Sequence, residues 1–301
     1  MTELQGWINL YKPKNISSFK AIKIIKQKHS INKIGHAGTL DPLAEGILPI
    51  ALGKTTKLIQ FINKDLKKYE FTICWGTQTS TDDHDGKVIY RSQFVPKLKD
   101  IKIKLKNFKG YIFQAPPKVS AVKINGKRAY NLVRKNIKFD TKPKKVYVKN
   151  LKIINHSNTE TSFVIECGKG FYIRSLGRDL ARQLGTYGHI SNLIRTKVGK
   201  FDVNTSILLD DLIKIGERQQ KINYILSSIS MLDDILACEI NDEEDLKSLS
   251  QGKSINIDEN KLKNISSKIL DDKIIFISNS GDIVSFGKLT GNLFKPNKIL
   301  I

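Results

Sequence analysis

Strand-like and helix-like segments follow one another along this 301-residue sequence without the regular alternation that a parallel sheet with crossover helices requires. Residues 69–75 alternate apolar with polar side chains, the period of a strand. This irregular succession predicts the α+β class for the main domain. Further strands are expected at 146–154 and 162–166, and a helix is expected over 176–184, ending at Gly185.

Two other segments have helical spacing. Residues 16–29 place Phe19, Ile22 and Ile25 on one side of a helix, with Ser17 or Ser18 as its N-cap. Residues 96–110 fit both a helix and an edge strand, because their apolar residues match both periods. We favour the helix there.

The sequence changes character near residue 232. Short apolar runs at 274–277, 283–289 and 299–301 follow, the first two separated by Ser280, Gly281 and Asp282. A length of 301 residues suits about two domains. We therefore predict a main domain over 1–231 and a small β-rich domain over 232–301.

Charge distinguishes the same two regions. Lysine and arginine number 51 against 29 aspartate and glutamate, a net charge of +22. Residues 232–301 carry 9 basic and 12 acidic side chains, so residues 1–231 carry a net +25. Such a field attracts polyanions, of which nucleic acid is the commonest in the cytosol. A merely solvated lysine-rich surface is the alternative.

Several protein classes are excluded by the sequence. The three cysteines are far apart, which disfavours disulfides and a zinc site. The first ten residues lack a basic region followed by a long apolar run, and no stretch reaches about 18 apolar residues. We expect a cytoplasmic protein that does not bind a membrane.

The segment 35–46 contains three glycines and one aspartate, Asp41, which lies between Leu40 and Pro42. Gly53 and Lys54 follow, but a P-loop needs a glycine five residues before Gly53, and that position is Leu48. An aspartate in a loop is usually a turn former. The acidic run at 79–86 lacks the spacing of a calcium loop and is interpreted as a turn.

The segment 35–46, Gly-His-Ala-Gly-Thr-Leu-Asp-Pro-Leu-Ala-Glu-Gly, closely resembles the signature of the bacterial tRNA pseudouridine synthase B family. Other segments resemble the family in the same order, and together they span about 6–205. They are Asn9 with Lys12-Pro13, Lys68-Tyr69 with 76–86, 114–130 with its Gln-Ala-Pro-Pro, 169–176 with its Lys-Gly-Phe-Tyr-Ile-Arg, and Leu193 with Arg195-Thr196 and 199–201.

This resemblance implies a pseudouridine synthase fold, a mixed β-sheet flanked by helices, with a PUA-like C-terminal domain at 232–301. It implies isomerisation of uridine 55 in the T loop of tRNA, with no cofactor, no metal and no protein partner. We expect a monomer. Tyr11 and Ile194 depart from the family, which often has aspartate and a second arginine there.

Residue roles follow from the same resemblance. Asp41 is implied as the catalytic carboxylate, Arg174 as its cationic partner, and Tyr69 as the aromatic residue for a uridine flipped out of the tRNA. If residues 171–174 are extended, Tyr172 and Arg174 share one face. The other residues expected to bind the substrate are His36, Tyr172, Leu193 and Lys12. Residues 117–145 form a basic arm, exposed over 135–145.

Two alternatives are weighed against this assignment. A non-catalytic RNA-binding protein or tRNA-folding chaperone would have no physical reason to retain Asp41, Tyr69, Tyr172 and Arg174 together. A guide-RNA-dependent synthase of the archaeal and eukaryotic type is nearer in chemistry. The absence of visible protein-binding extensions favours an enzyme that acts alone.

Overall fold

The computed structural model describes residues 4–62, 66–218, 223–232, 237–258 and 274–301. Parts of the predicted C-terminal domain, 233–236 and 259–273, lie outside these ranges. The helices are α1 (Ser18–Lys28), α2 (Ile59–Ile62), α3 (Leu98–Leu105), α4 (Ala129–Arg134), α5 (Ile173–Gln183), α6 (Leu209–Glu217) and α7 (Glu243–Ser250).

The strands belong to two larger sheets and two hairpins. In chain order they are β1 (Gly6–Lys12), β2 (Ile34–His36), β3 (Glu45–Leu52), β4 (Lys67–Trp75), β5 (Thr77–Thr79), β6 (Val88–Arg91), β7 (Gly110–Gln114), β8 (Lys123–Ile124), β9 (Lys127–Arg128), β10 (Lys144–His156), β11 (Glu160–Cys167), β12 (Gly188–Val198), β13 (Phe201–Asp202), β14 (Ile207–Leu208), β15 (Ala237–Glu239), β16 (Ile255–Asn256), β17 (Ile274–Asn279), β18 (Asp282–Thr290) and β19 (Leu293–Ile299).

The main sheet is mixed. Within the described ranges it has ten strands, with the central order β14-β1-β3-β12-β4-β11-β10-β7. The pairs β1–β14 and β3–β12 are parallel, and the other pairs along this order are antiparallel. Helices α1, α3, α5 and α6 share one hydrophobic core with the sheet. The predicted α+β class is confirmed.

Beyond its first residue, the sequence of strand β3 is apolar without interruption because both faces of this strand are buried. Leu48, Ile50 and Leu52 point into the core that contains the helices. Ile47 and Ala51 point the other way, into a second cluster shared with the C-terminal residues. The loop before β3 is consequently attached to a strand that is buried along almost its whole length.

The described C-terminal residues form a separate sheet of five strands, ordered β15-β17-β18-β19-β16. The predicted runs at 274–277 and 283–289 lie in β17 and β18, and the turn between them is at Ser280 and Gly281. Residues 299–301 come only at the end of β19 and beyond it. The domain boundary after residue 231 stays a prediction.

Helix α1 lies where it was predicted, but the face that it buries differs from the predicted one. The Ser17 hydroxyl accepts a hydrogen bond from the backbone nitrogen of Lys20 at 3.1 Å, which fixes the start of the helix. Ile25 is buried, but Phe19 is 74% exposed. The core therefore contacts the side of α1 that carries Ser18 and Ala21. Residues 98–105 form the helix α3, as favoured.

Candidate active site

A cavity of about 740 Å³ opens in the main domain. Its walls come from the loop between β2 and β3, the strands β4 and β12, the basic arm, and the segment leading into α5. Five of the residues predicted for the site line it together: Asp41, Tyr69, Tyr172, Arg174 and Leu193.

Asp41 and Arg174, which both line this cavity, form an ion pair. Arg174 Nη2 lies 2.9 Å from Asp41 Oδ2. The arginine side chain is 6% exposed and the aspartate side chain 34%, so the carboxylate faces the cavity and the guanidinium lies behind it. Arg174 Nη1 also donates to the backbone oxygens of Thr81 and Val119, at 3.0 and 3.1 Å.

The segment that carries Arg174 differs from its prediction. Residues 171–174 are not an extended strand end, because α5 begins at Ile173 and Arg174 lies in its first turn. The side-chain amide of Gln114 makes two hydrogen bonds to the residue before the helix. Its nitrogen donates to the Tyr172 backbone oxygen at 3.1 Å, and its oxygen accepts from the Tyr172 backbone nitrogen at 2.8 Å. Arg174 thus lies in the first helical turn, directly after a helix start that two hydrogen bonds hold in place.

The turn at 79–86 holds a site residue that the sequence analysis missed. Asp83 Oδ2 lies 3.5 Å from Arg174 Nη1, and both side chains are buried. Burial raises the pKa of the Asp83 carboxyl, while the Thr81 hydroxyl and Arg174 oppose that shift. The Thr81 hydroxyl donates to the Asp83 carboxylate. Arg174 is therefore held between two carboxylates.

The neighbouring aspartate of that turn anchors it to α5. Asp82 Oδ2 accepts from Arg178 Nη1 at 3.0 Å, and Asp82 Oδ1 accepts from Gln78 Nε2 at 3.0 Å. Arg178 Nη2 donates to the backbone oxygen of Ala115 at 3.0 Å. These bonds join the turn, the helix and the root of the basic arm behind the ion pair.

Arg195 supports the backbone next to Asp41, and no role was predicted for it. Its guanidinium is fully buried and donates to the backbone oxygens of Ile47, Gly38 and Thr39, at 2.7, 3.0 and 3.3 Å. The Ser18 hydroxyl accepts from the Leu40 nitrogen at 2.9 Å and donates to the Leu40 oxygen at 2.8 Å. The backbone just before Asp41 is therefore fixed from two directions.

Lys12 does not lie where the prediction of an RNA contact requires. Its side chain is fully buried, and Nζ donates to the backbone oxygens of Pro13, Ile16 and Ala44 at 2.8, 2.8 and 2.6 Å. Burial lowers the pKa of this ammonium to about 8. Lys12 is a buried tie between β1 and the loop that carries Asp41, since it uses all three donors within the protein.

Two side walls of the cavity are apolar or aromatic. Tyr69 near the start of β4 and Leu193 on β12 lie on neighbouring antiparallel strands and both line the cavity. Burial raises the pKa of the Tyr69 phenol. The Tyr172 ring is half-buried, and its phenol pKa is raised by burial and by the negative charge of Asp41. Both phenols are thus neutral hydrogen-bonding groups near physiological pH.

His36 ends strand β2 and lies outside the described lining of the cavity. Its ring is half-buried, and burial together with the positive charge of Arg195 lowers its pKa. Nδ1 is buried without a hydrogen-bond partner among the described residues. The expected contact between His36 and RNA stays a prediction.

Within the described ranges no group of three or more His, Cys, Asp or Glu side chains could hold a metal ion. In the same part of the chain, no helix has the length and apolar character needed to cross a membrane.

Comparison with known proteins adds sequence and fold relatives. Residues 26–173 match the model of the TruB family pseudouridylate synthase N-terminal domain, and residues 174–237 match the tRNA pseudouridylate synthase B C-terminal domain. A crystal structure of a Cbf5-Nop10-Gar1 complex contains a similar fold, with a TM-score of 0.72 and 23% identity over 98% of this chain and 85% of that chain.

Three curated relatives are each called tRNA pseudouridine synthase B. The protein of Wolbachia pipientis subsp. Culex pipiens is 47% identical over 70% of this chain and 60% of its own length. The protein of Caulobacter vibrioides is 39% identical over 84% of this chain and 81% of its own length, and that of Nitrobacter winogradskyi is 36% identical over 99% and 83%. This chain belongs to the TruB family of pseudouridylate synthases.

Proposed function

We propose that this protein is a tRNA pseudouridine synthase that converts uridine 55 in the T loop to pseudouridine. The observation that carries the proposal is the Asp41–Arg174 ion pair, which presents one carboxylate to a cavity that opens in the main domain of a TruB-family chain. The net charge of +25 over residues 1–231 suits a polyanionic substrate.

The reaction breaks the bond between N1 of uracil and C1′ of ribose, turns the base, and joins C5 to C1′. The hydrogen on C5 leaves as a proton and N1 takes up a proton, so there is no net oxidation or reduction. The Asp41 carboxylate attacks C1′ in an acylal route or removes a ribose proton in a glycal route. Both routes need an ionised carboxylate in a site that excludes water, and the guanidinium of Arg174 stabilises that charge.

The cavity also suits a base that has left the tRNA stack. Extruding a stacked nucleotide costs a few kcal/mol, which contacts in the pocket must offset. Tyr69 and Leu193 offer an aromatic and an aliphatic wall beside Asp41, and Tyr172 offers a second ring. We assign base stacking to Tyr69, packing against the uracil to Leu193 and Tyr172, and contact with the displaced nucleotides to His36.

The basic arm contributes to the same cavity. Tyr130 and Arg134 of α4 line it, and Arg134 lies over the Tyr130 ring at 5.7 Å from the ring centre. Residues 117–145 carry ten basic side chains and one acidic side chain. We assign the arm to the phosphates of the T arm. The protein acts on tRNA as a cytoplasmic monomer, without a protein partner.

A tritium-release assay tests the proposal, because joining C5 to C1′ expels the hydrogen on C5. Unmodified tRNA labelled at uracil C5 is incubated with wild type, Asp41→Asn and the matched control Asp85→Asn. Asp85 also lines the cavity, and its carboxylate pairs with His84. We expect release by wild type and Asp85→Asn, mapped to uridine 55, and none by Asp41→Asn.

Binding of tRNA separates chemistry from recognition in the same variants. Asp41→Asn should keep its affinity for tRNA, because the contacts to phosphates and to RNA shape are unchanged. Full turnover by Asp41→Asn would overturn the assignment of the carboxylate. Salt-sensitive tRNA binding without release by wild type would instead favour a non-catalytic RNA-binding protein.

A further inference from the structure

The edge strand β7 carries two of the three most exposed large apolar side chains among the described residues. Tyr111 is 70% exposed and Phe113 is 75% exposed. Strand β7 ends the main sheet, where proteins usually place charges or a covering loop to prevent unwanted pairing. Adjacent aromatic rings left open at such an edge indicate a binding surface.

A third ring and a lysine complete this surface on the neighbouring strand β10. Tyr147 pairs with Tyr111, and Lys145 pairs with Phe113, in the antiparallel register of the two strands. The centres of the Tyr111 and Tyr147 rings are 5.0 Å apart, with their planes tilted by 45°. Lys145 Nζ lies 4.7 Å from the centre of the Tyr111 ring. We call Tyr111, Phe113, Lys145 and Tyr147 the aromatic strip.

The charge around the aromatic strip is positive. Lys109 precedes β7 and is exposed, as is Lys145. Lys149 continues along β10 and pairs with Glu166 at 3.1 Å. Exposed rings interleaved with lysines provide stacking surfaces for bases and cations for the phosphates between them, the combination that binds single-stranded nucleic acid.

The aromatic strip is continuous with the wall of the cavity. The backbone nitrogen of Gly168 donates to the backbone oxygen of Tyr147 at 2.9 Å, and Gly168, Lys169 and Gly170 line the cavity. A Cβ added at Gly168 would lie 3.6 Å from Tyr147 Cβ. A strand of RNA leaving the cavity past Gly168 therefore reaches Tyr147 first and then the two exposed rings on β7.

We propose that the aromatic strip is a second RNA-binding site, which stacks unpaired nucleobases beside the cavity. The alternative occupant is a protein segment added as a further strand to the edge of β7. Such a segment would bind mainly through the backbone of β7, and it would not require lysines beside the rings. The rings and lysines together favour RNA.

Binding of a fluorescein-labelled octaadenylate to the full chain, measured by anisotropy at low salt, tests this site. Octaadenylate contains no uridine and so is not a substrate for the proposed reaction. We expect Phe113→Leu to weaken binding about fivefold or more, because leucine has no aromatic face for stacking, and Phe113→Trp to retain binding. Tyr224→Ala, which removes an exposed ring outside the aromatic strip, is the control and should bind as wild type.

The outcomes separate this site from the proposed function. Equal affinities of wild type and Phe113→Leu, with unchanged melting temperatures, would overturn the aromatic strip as an RNA site and leave the tritium-release result untouched. Weakened octaadenylate binding together with no tritium release by wild type would support the aromatic strip and overturn the proposed enzyme. Loss of binding by Tyr224→Ala as well would also contradict the site.

Discussion

Arg174 links the two loops of the candidate site that carry aspartates. It pairs with Asp41 in one loop and with Asp83 in another, and it also binds two backbone oxygens. A guanidinium can satisfy this set because its donors form a rigid planar fork, which a lysine ammonium lacks. The orientation of the Asp41 carboxylate is thus fixed by a group that three further acceptors hold in place.

Lys12 gives a prediction about stability and pH. Its pKa is about 8 in the folded protein and about 10.4 when unfolded, so the unfolded chain binds more protons between these values. Stability from this group is therefore lowest below pH 8 and rises toward pH 10.4. Relative to Lys12→Met, wild type should gain roughly 3 kcal/mol at most over this range. Urea unfolding of both proteins at pH 7 and pH 10 measures the difference.

The same substitution at an exposed lysine is the control for this measurement. Lys20 lies on α1 with its side chain in solvent. Lys20→Met should leave the difference between pH 7 and pH 10 as it is in wild type. Stability curves of wild type and Lys12→Met that run parallel across pH would contradict the lowered pKa of Lys12.

The sequence predicted only some of the residues that form the site. Asp41, Tyr69 and Arg174 stand in motifs of the family and line the cavity as expected. Asp83 lies in the family segment 76–86, but its pairing with Arg174 was not predicted, because Arg174 lies far along the chain. The burial of Lys12 gave no sequence signal, since its partners are the backbone carbonyls of Pro13, Ile16 and Ala44, which every residue type carries.

Among the secondary-structure elements, strands β3 and β12 pack closely against each other at Gly46. Gly46 has a φ of 108°, and a Cβ added there would lie 2.2 Å from the Arg195 backbone oxygen. That contact is with backbone and cannot be relieved by a side-chain rotation. Close packing of β3 against β12 therefore depends on glycine at this position.

Gly46→Ala should consequently destabilise the protein by several kcal/mol, because β12 must move and take the Arg195 guanidinium away from Gly38 and Thr39. Urea unfolding measures the loss. Gly185→Ala is the matched control: its φ is 74°, but nothing lies within 4 Å of an added Cβ. That substitution should cost only about 1–2 kcal/mol. Equal losses in the two variants would contradict the crowding argument.

The start of α5 shows how an element boundary escapes a local prediction. The apolar spacing of Leu176, Leu180 and Leu184 continues backward to Ile173, so the signal for an earlier helix start was present. The capping arrangement was not predictable, because Tyr172 has no side-chain cap and Gln114 from another element holds its backbone. By contrast Ser17 caps α1 locally, and that start was predicted correctly.

For the whole molecule, the second hydrophobic cluster joins the main sheet to the C-terminal sheet. Trp7 and Ile47 from the main sheet pack in it with Phe276 and Phe286. The Phe61 ring meets both C-terminal rings at 4.9 Å between centres, edge to face. Aromatic contacts of this size resemble the inside of one domain more than a mobile boundary.

We therefore expect calorimetry to show a single unfolding transition, despite the two predicted domains. Phe286→Ala should lower the melting temperature of that one transition, with a loss of about 3–5 kcal/mol. Ile154→Ala, at a side chain that is 56% exposed, is the control and should leave it unchanged. Two resolved transitions, with only one shifted by Phe286→Ala, would contradict a shared core.

The strand order also has a consequence for the time at which the site forms during synthesis. The buried strand β3 receives its parallel partner β12 from much later in the chain, and 148 residues separate Ile47 from the Arg195 that binds its carbonyl. At ribosomal rates that interval is on the order of ten seconds. The nascent Asp41 loop thus waits without Arg174 and Arg195 until most of the protein has emerged.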